Sequence, residues 1–372
     1  MRYLLALFLC LSFPSLYAQH YYLFVGTYTT GKSKGIYVYE FNAQNGEMTW
    51  VSNTDSSSNP SFLAIAPNGR YVYAVNETGR TIPGRVSAYA FNKNNGQLQL
   101  LNQQASGGDD PCFITVHPSG KWVVVANYSG GNLSALPVNP DGTLAPYTQL
   151  IQHKGSGGNK ERQSSAHVHS TFFSPDHQYI LAPDLGMDKV MSYRFTATAQ
   201  KPLQPAAVPF SLSEPGSGPR HLAFHPNKNF VYRIEELTGT VTVSTYSNGV
   251  MKNIQTIATH PDGFTGQPGS ADIHVSPDGK FLYASNRGEE NNIAIFSIHP
   301  VSGKLTAVGY QPVEGAQPRN FIIDPSGKYL LVANQKTNNI VIFQRNQETG
   351  LLKPTLQKVE VPSPVCLQLL AK

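Results

Sequence analysis

SFLAIAPNGRYVYAVN, residues 61–76, reads as an apolar strand, a turn containing proline and glycine, and a second apolar strand that ends in an amide. The same pattern returns five more times, with intervals of 51, 57, 51, 51 and 48 residues between its turn prolines: Pro67, Pro118, Pro175, Pro226, Pro277 and Pro325. A repeat of about 50 residues without helical periodicity is typical of radially arranged β-sheets. The sequence therefore predicts a β-propeller.

Each repeat has room for four strands, which in the second unit are predicted at 62–66, 71–76, 85–91 and 97–104. Asn-Gly and Asp-Gly dipeptides separate many of them, because both residue types tolerate the positive φ of hairpin turns. The second strand of each repeat is almost continuously apolar, as in VVVA (123–126) and FLYA (281–284). Such a strand is expected to be covered on both faces by neighbouring sheets.

The two ends of the chain complete the count of sheets. Residues 21–25, 35–41 and 48–53 supply three strands with no inner strand before them, and residues 364–367 (PVCL) resemble the start of an inner strand. We therefore expect an all-β, seven-bladed propeller with four antiparallel strands per blade, in which the C-terminal strand completes the N-terminal blade. This closure leaves no open sheet edge. The propeller is expected to form one domain, residues 19–372.

Residues 1–18 are expected to be a secretory signal rather than part of the fold. A short basic start precedes an apolar run from Leu4 to Phe13, and Leu16-Tyr17-Ala18 offers a cleavage site after a small residue. The apolar run is too short for a permanent membrane span. The sequence therefore predicts an exported protein, periplasmic or secreted, that begins at Gln19 and is not anchored in a membrane.

Composition limits the class of partner. The net charge is +5, charged residues make up 14% of the chain, and no Lys/Arg cluster is present, so nucleic-acid binding is not expected. Cys112 and Cys366, which remain after cleavage, occupy strands that are not neighbours, and we expect both to be free and buried. Nothing in the sequence determines the oligomeric state, because a closed ring neither requires nor forbids partners.

Aligning the repeats on their prolines compares equivalent positions around one mouth of the ring. Nine residues after the proline stand Asn76, Asn127, Asn286 and Asn334, with acids in the other two repeats. Such uniformity favours a structural role for the four asparagines, with each amide bonded to nearby loop backbone.

Three other aligned positions, ten residues after the proline and five and six residues before it, differ from repeat to repeat. This difference favours a functional role over a structural one. Blades two and three are expected to be apolar or small there, whereas blades four to seven carry titratable side chains: His169, Arg220, His221, Glu236, Asp272, Arg287 and Arg319. Three arginines with two histidines and acids on one arc predict a site for an anionic small molecule. The competing interpretation is that the arginines form ion pairs that join adjacent blades.

Three further features carry alternatives. His167 and His169 could be two metal ligands, but strand alternation explains their spacing equally well and no third ligand follows, so we predict no metal and no cofactor.

The Gly-rich loop 153–165 is either a solvated loop or a cover that brings Arg162 to the substrate. Arg233, inside an apolar strand, is expected to pair structurally with Glu235.

The segments 167–190, 218–243 and 276–296 contain the motifs H-x-H, D-L-G-x-D, G-P-R-H, E-L and S-N-R-G, and P-R-N follows at 318–320. With these motifs the whole chain after the signal resembles the lactonase family of seven-bladed propellers, which includes propeller-type 6-phosphogluconolactonases and is similar to carboxymuconate-lactonising enzymes. The resemblance implies hydrolysis of a sugar lactone to the free aldonic acid in the central cleft. Glu235 departs from the family pattern, which favours Asn. The export signal also departs, because 6-phosphogluconolactone is made in the cytoplasm.

By motif position, the resemblance implies nine site residues. The catalytic set is His169, His221, Glu236 and Arg220. The substrate-binding set is His167, Asp184, Asn286, Arg287 and Arg319. We expect His169 or His221 to activate water, with Glu236 orienting the imidazole or acting as the base itself, and the arginines to stabilise negative charge. A muconate-lactonising isomerase and a non-catalytic glycan- or protein-binding propeller are the alternatives.

Overall fold

The computed structural model describes residues 19–79 and 81–372, so the expected signal at residues 1–18 lies outside the described part. Within that part there is no helix, and 28 strands form seven four-stranded antiparallel sheets. No helix that could cross a membrane occurs among these residues. The predicted seven-bladed β-propeller is confirmed.

The strands are given blade by blade, starting with the strand nearest the axis. Blade 1 contains β28 (Pro364–Ala371), β1 (His20–Thr27), β2 (Tyr37–Asn42) and β3 (Met48–Asn53). Blade 2 contains β4 (Leu63–Ile65), β5 (Tyr71–Asn76), β6 (Arg85–Asn92) and β7 (Gln97–Ala105). Blade 3 contains β8 (Pro111–Val116), β9 (Trp122–Asn127), β10 (Asn132–Pro137) and β11 (Gln149–Gln152). Blade 4 contains β12 (Phe172–Phe173), β13 (Tyr179–Asp184), β14 (Lys189–Phe195) and β15 (Leu203–Leu212).

The remaining blades repeat the same order. Blade 5 contains β16 (Pro219–Phe224), β17 (Phe230–Glu235), β18 (Thr240–Ser247) and β19 (Val250–Ala258). Blade 6 contains β20 (Ser270–Val275), β21 (Phe281–Asn286), β22 (Asn292–Ile298) and β23 (Leu305–Pro312). Blade 7 contains β24 (Pro318–Ile323), β25 (Tyr329–Asn334), β26 (Asn339–Arg345) and β27 (Leu352–Glu360).

The ring closes between the two ends of the chain, as predicted. Strand β1 pairs with β2 on one side and with β28 on the other, with Leu23 opposite Leu369 and Val25 opposite Leu367. The C-terminal strand is thus the innermost strand of blade 1. Pairing across the two ends leaves no unpaired inner edge at the junction.

The core lies between adjacent blades. Strands β9, β17, β21 and β25 are buried along their whole length, which confirms that both of their faces are covered. Between blades 7 and 1, for example, Leu331 and Ala333 pack in the same cluster as Leu23 and Val25. The hairpins between strands need glycine in places: at Gly142, φ is +85°, and a Cβ would lie 2.2 Å from the Tyr71 ring.

The four aligned asparagines have one shared structural role, as predicted. Each is buried, and each donates from Nδ2 to a backbone carbonyl in the loop that precedes its blade. The pairs are Asn76 to Ser58 (2.7 Å), Asn127 to Ser106 (3.1 Å), Asn286 to Thr259 (2.7 Å) and Asn334 to Val313 (3.0 Å). These bonds satisfy buried carbonyls at the mouth of the ring.

Candidate active site

A polar cavity of about 730 Å³ opens at the mouth of the ring where the first strand of each blade begins and the second strand ends. All seven blades and the loop 153–165 contribute side chains to the cavity or to the layer directly beneath it. The titratable residues that line the cavity are Tyr28, Glu77, Cys112, Tyr128, Arg162, His169, Glu236, Arg287, Glu289, Arg319 and Lys336.

β-Bulges position several of these side chains. At the start of β16, Pro219 pairs with Glu235 and His221 pairs with Ile234, so Arg220 is an extra, unpaired residue. Equivalent bulges in β24 and β8 leave Arg319 and Cys112 unpaired in the same way. A bulge redirects the side chain of its extra residue and is common beside active sites. The repeated bulge thus explains why the extra residue at the start of the inner strand lies at or beside the cavity in several blades.

Three guanidinium groups converge on one buried carboxylate, Glu236. Arg220 Nε donates to Glu236 Oε2 at 2.9 Å, Arg287 Nη2 lies 3.1 Å from the same oxygen, and Arg162 Nη2 donates to Oε1 at 2.9 Å. Arg220 is almost completely buried and also donates from Nη1 to the Ala271 carbonyl. The cluster brings together side chains from blades 5 and 6 and from the loop 153–165.

The charges of this cluster fix its protonation states. Burial alone would raise the pKa of Glu236, but Arg287, Arg220 and Arg162 hold it well below its usual range. Burial, with Arg287 and Arg319 nearby, lowers the pKa of Arg220 to about 10, so Arg220 remains a cation at neutral pH. A carboxylate with so low a pKa is a poor proton acceptor. Glu236 forms no hydrogen bond to an imidazole among the described residues, so the expectation that it orients the imidazole or acts as the base is not supported.

His169 forms part of the cavity wall and is a neutral imidazole. Burial lowers its pKa well below the ordinary 6.5, and Arg220, His221, Arg319 and Arg287 lower it further. Its Nδ1 is buried and has no hydrogen-bond partner among the described residues, so Nε2, which bonds no other described residue either, is the nitrogen that can meet a water in the cavity. The ring lies edge-on to Tyr128 and to His221, with centroid distances of 5.5 and 5.3 Å. A neutral imidazole whose unbonded nitrogen faces the cavity can accept a proton from water.

His221 lies beneath the floor of this cavity rather than in its wall. Its Nδ1 bonds Asp272 Oδ1 at 2.8 Å, and its Nε2 lies 3.3 Å from Arg220 Nη1, so both ring nitrogens are engaged. Burial, with Arg220 as the next cause, lowers the pKa of His221 to about 4. Asp272 also contacts His274 Nε2 at 3.0 Å from the opposite side. Of the two histidines expected to activate water, only His169 faces the cavity.

The opposite wall consists of Arg319, Glu77 and Tyr28. Tyr28 Oη donates to Glu77 Oε1 at 2.8 Å, and the Arg319 guanidinium lies 5.5 Å from the centre of the Tyr28 ring. The nearest carboxylate oxygen to the Arg319 guanidinium is Glu77 Oε1, at 3.9 Å. The Arg319 side chain donates no hydrogen bond to another described residue. Arg319 therefore has N–H donors available for a ligand.

Three residues expected to bind substrate do not line the cavity. His167 stacks on Tyr128 with a centroid distance of 4.5 Å, and its Nδ1 lies 3.0 Å from the Tyr128 carbonyl. Asp184 is fully buried and bonds His153 Nδ1 at 2.6 Å. Asn286 serves as one of the four structural amides. The structure brings together His169, Arg220, Glu236, Arg287 and Arg319, with His221 directly below.

The expected one-sided arc is wrong, because blades 1 to 3 also contribute polar groups. Glu77 and Tyr128 stand one residue after the end of the second strand of their blades, the same aligned position as Glu236 and Arg287. Their titratable side chains at this position are the feature of the sequence that could have identified them as cavity residues. Tyr28 follows the end of β1 in the same way. Blade 1 has no turn proline, so an alignment on prolines does not include Tyr28.

One buried ion pair and the two cysteines agree with the sequence-based expectations. Arg233 Nε donates to Glu235 Oε1 at 2.5 Å, and both side chains are buried, which confirms the structural pair. Cys112 and Cys366 are free and buried, as predicted. Burial raises the pKa of Cys112, which keeps this cavity residue a thiol at neutral pH. Among residues 19–79 and 81–372, no three His, Cys, Asp or Glu side chains form a group suited to a metal ion.

Comparison with known proteins agrees with this architecture. The chain matches the family described as "Lactonase, 7-bladed beta-propeller" over residues 22–369. It is 41% identical to a 6-phosphogluconolactonase of Formosa agariphila and 36% identical to one of Bacillus subtilis, in each case over 93% of this chain and at least 97% of the relative. The periplasmic gluconolactonase of Pseudomonas aeruginosa superposes with a TM-score of 0.91 at 42% identity, covering 95% of this chain and 99% of that structure. The chain therefore belongs to the lactonase family of seven-bladed β-propellers.

Proposed function

We propose that the protein hydrolyses a sugar lactone to the free aldonic acid in the cavity at the mouth of the ring. The observation that carries this proposal is the placement of a neutral, uncommitted imidazole, His169, in the same cavity as the guanidinium donors of Arg287 and Arg319. Opening a lactone needs a base for water and donors for the oxyanion, and these groups supply both. The names of the relatives support the same reaction class.

In the proposed reaction, His169 accepts a proton from water while the water oxygen attacks the lactone carbonyl carbon. Arg319 and Arg287, with Arg220 behind them, stabilise the negative charge that develops on the carbonyl oxygen. The bond from the carbonyl carbon to the ring oxygen then breaks, and the ring oxygen takes the proton from His169 to become a hydroxyl. The new carboxylic acid ionises in water, so one lactone and one water give one aldonate and one proton.

Glu236 has a different role in this proposal from that of a base. Its carboxylate fixes Arg220, Arg287 and Arg162 at distances of 2.9 to 3.1 Å and offsets part of their mutual repulsion. A prepositioned guanidinium needs no reorganisation when charge develops on the substrate. Cys112 is not assigned a nucleophilic role, because the thiolate is the reactive form and burial disfavours it here.

The charge of the site favours an anionic lactone. Arg162, Arg287, Arg319 and Lys336 line the cavity against three acids, and the buried Arg220 adds a further positive charge beneath it. A phosphate or carboxylate on the substrate would bind such an excess of cations. A 6-phosphorylated aldonolactone is therefore our first candidate, and the unphosphorylated gluconolactone is the comparison.

The test uses purified protein comprising residues 19–372 with gluconolactone and its 6-phosphate as separate substrates. Acid release, corrected for spontaneous hydrolysis, should be accelerated, and kcat/KM should be higher for the phosphorylated lactone. Acceleration of the neutral lactone alone would overturn the anionic substrate. Tight binding without turnover of either lactone would instead indicate a non-catalytic binding protein, and ring formation from a muconate would indicate an isomerase.

The pH dependence of kcat/KM should report the low pKa of His169. The imidazole is an active base only when neutral, so activity is retained above its pKa and lost as pH falls through it. Because that pKa lies well below 6.5, kcat/KM should stay constant from about pH 8 down to about pH 6 and decrease only at lower pH. Initial rates between about pH 4.5 and 8 measure this, and a loss centred at 6.5 or above would contradict the assignment.

We also propose that residues 1–18 direct export and are removed after Ala18, as the periplasmic relative supports. Mass spectrometry of protein recovered from the periplasm or the medium should give a chain that begins at Gln19. Recovery of the uncleaved chain from the cytoplasm alone would contradict this proposal.

A further inference from the structure

The D-L-G-x-D motif, residues 184–188, does not line the cavity, but its two carboxylates form four hydrogen bonds with the segment that covers the edge of the cavity. That segment, residues 153–167, connects β11 to β12, and we refer to it as the strap. It carries Arg162 to the cavity, where Arg162 bonds both Glu236 and the Tyr128 hydroxyl. The strap contains no strand or helix of its own, so side-chain contacts must fix its course.

Asp188 fixes the middle of the strap. Its buried carboxylate accepts hydrogen bonds from Gly158 N at 3.0 Å and from Gln163 Nε2 at 2.6 Å. The same carboxylate accepts from Gly216 N at 2.7 Å and Gly218 N at 3.0 Å, which belong to the turn before β16. One charge therefore ties the strap to the loop that leads directly to Arg220.

Asp184 fixes both ends of the strap. Its Oδ2 bonds His153 Nδ1 at 2.6 Å at the start, and its Oδ1 accepts from His167 N at 2.8 Å at the end. His153 Nε2 in turn lies 2.8 Å from the Tyr193 hydroxyl, so the buried imidazole is held on both sides. The two carboxylates of one motif thus hold the start, the middle and the end of the same segment.

The strap is also folded tightly around Gln163, which is fully buried. Gln163 Oε1 accepts from Asn159 N at 2.6 Å, and Asn159 Oδ1 accepts from Arg162 N at 3.1 Å. The space is close, because a Cβ on Gly157 would lie 2.6 Å from the Gln163 side chain. Arg162 is therefore presented from a defined turn, although 47% of its side chain is exposed.

We propose that Asp184 and Asp188 are positioning residues, which hold the strap so that Arg162 completes the guanidinium set on Glu236. This inference rests on the proposed function and assigns Asp184 a role different from direct substrate binding. Without the anchor, Glu236 would keep Arg220 and Arg287 but lose its third cation, and Arg162 would leave the cavity. Small misplacements of such groups cost roughly 10- to 100-fold in rate.

The first experiment tests the anchor without using activity. Asp188→Asn places an amide where a charge accepts four N–H groups, so the strap should open more often. Trypsin can cut after Lys154, Lys160 or Arg162, and this cleavage should be at least tenfold faster than in the unchanged protein. Asp324→Asn is the matched control, because Asp324 is fully buried and accepts backbone N–H groups in a turn at the other face of the ring. Unchanged cleavage of Asp188→Asn would overturn the anchor.

The second experiment tests whether the anchor acts through Arg162. Lactone hydrolysis is measured for Asp188→Asn, Arg162→Ala and the double variant. If Asp188 acts through Arg162, kcat/KM of the double variant should equal that of Arg162→Ala, whereas independent effects would multiply. Multiplied losses, or an opened strap with unchanged kcat/KM, would overturn the inference while leaving lactone hydrolysis intact. No hydrolysis by the unchanged protein would overturn the proposed function, and the trypsin result would still decide the anchor.

Discussion

Replacing His169 with asparagine should lower kcat for lactone hydrolysis by about 10²- to 10⁴-fold, the range for loss of a positioned general base. His169 is the imidazole in the cavity wall, and burial, with the nearby arginines, lowers its pKa and keeps it neutral at physiological pH. Asparagine keeps a polar side chain of similar reach but cannot accept and return a proton at neutral pH. Initial rates at saturating lactone measure kcat, and binding of the aldonate product reports whether the cavity is intact.

His225→Asn is the matched control for this substitution. His225 lies beside a turn proline at the other face of the ring, and its Nε2 bonds the Gly279 carbonyl at 2.9 Å. We expect kcat of this variant to equal that of the unchanged protein. Should His169→Asn keep its full kcat while binding aldonate normally, another group would have to be the base.

Arg220→Ala should lower kcat/KM by at least about 10²-fold, as loss of an oxyanion-stabilising donor does in other enzymes. The substitution removes a buried cation behind the reacting carbonyl and leaves Glu236 with two of its three guanidinium partners. Removing one partner of a buried ion pair also destabilises a fold by about 3–5 kcal/mol. Rates must therefore be measured well below the temperature at which the variant begins to unfold.

Arg345→Ala separates the two effects of that substitution. Arg345 has 1% of its side chain exposed, compared with 2% for Arg220, and it bonds Asp278 at 2.8 Å at the other face of the ring. Its loss should lower the unfolding temperature but leave kcat/KM unchanged. Equal losses of activity in both variants would mean that Arg220 acts only through stability.

The fold could be predicted almost completely from the sequence, because the same constraint is repeated in every blade. A strand between two sheets must be apolar on both faces, and a tight hairpin needs residues that adopt positive φ. Even the junction of the ring followed from residues 364–367, which resemble the inner strands of other blades. Strand limits in the second unit agree with the structure to within one residue at each end.

The candidate site could be predicted only in part, because it depends on contacts between blades. His221 and Asp272 stand 51 residues apart, and their bond removes His221 from the set of free imidazoles. Similarly, Glu236 reads as a base in the sequence but is surrounded by cations from two blades and the strap. Of the opposite wall, the sequence predicts Arg319 but not Tyr28 or Glu77. Blade 1 has no turn proline to align Tyr28, and the other aligned positions of blade 2, Ser61 and Phe62, are small or apolar.

The junction between β1 and β28 has a consequence for biosynthesis. The N-terminal strand of the ring emerges from the ribosome before the other strands, yet its inner neighbour is made only after the strands of the six other blades. During translation one side of the first blade therefore stays unpaired, and the ring cannot close until β28 has been made. Such late closure is compatible with the export proposed for residues 1–18, because a chain whose ring is still open can be threaded through a narrow membrane pore.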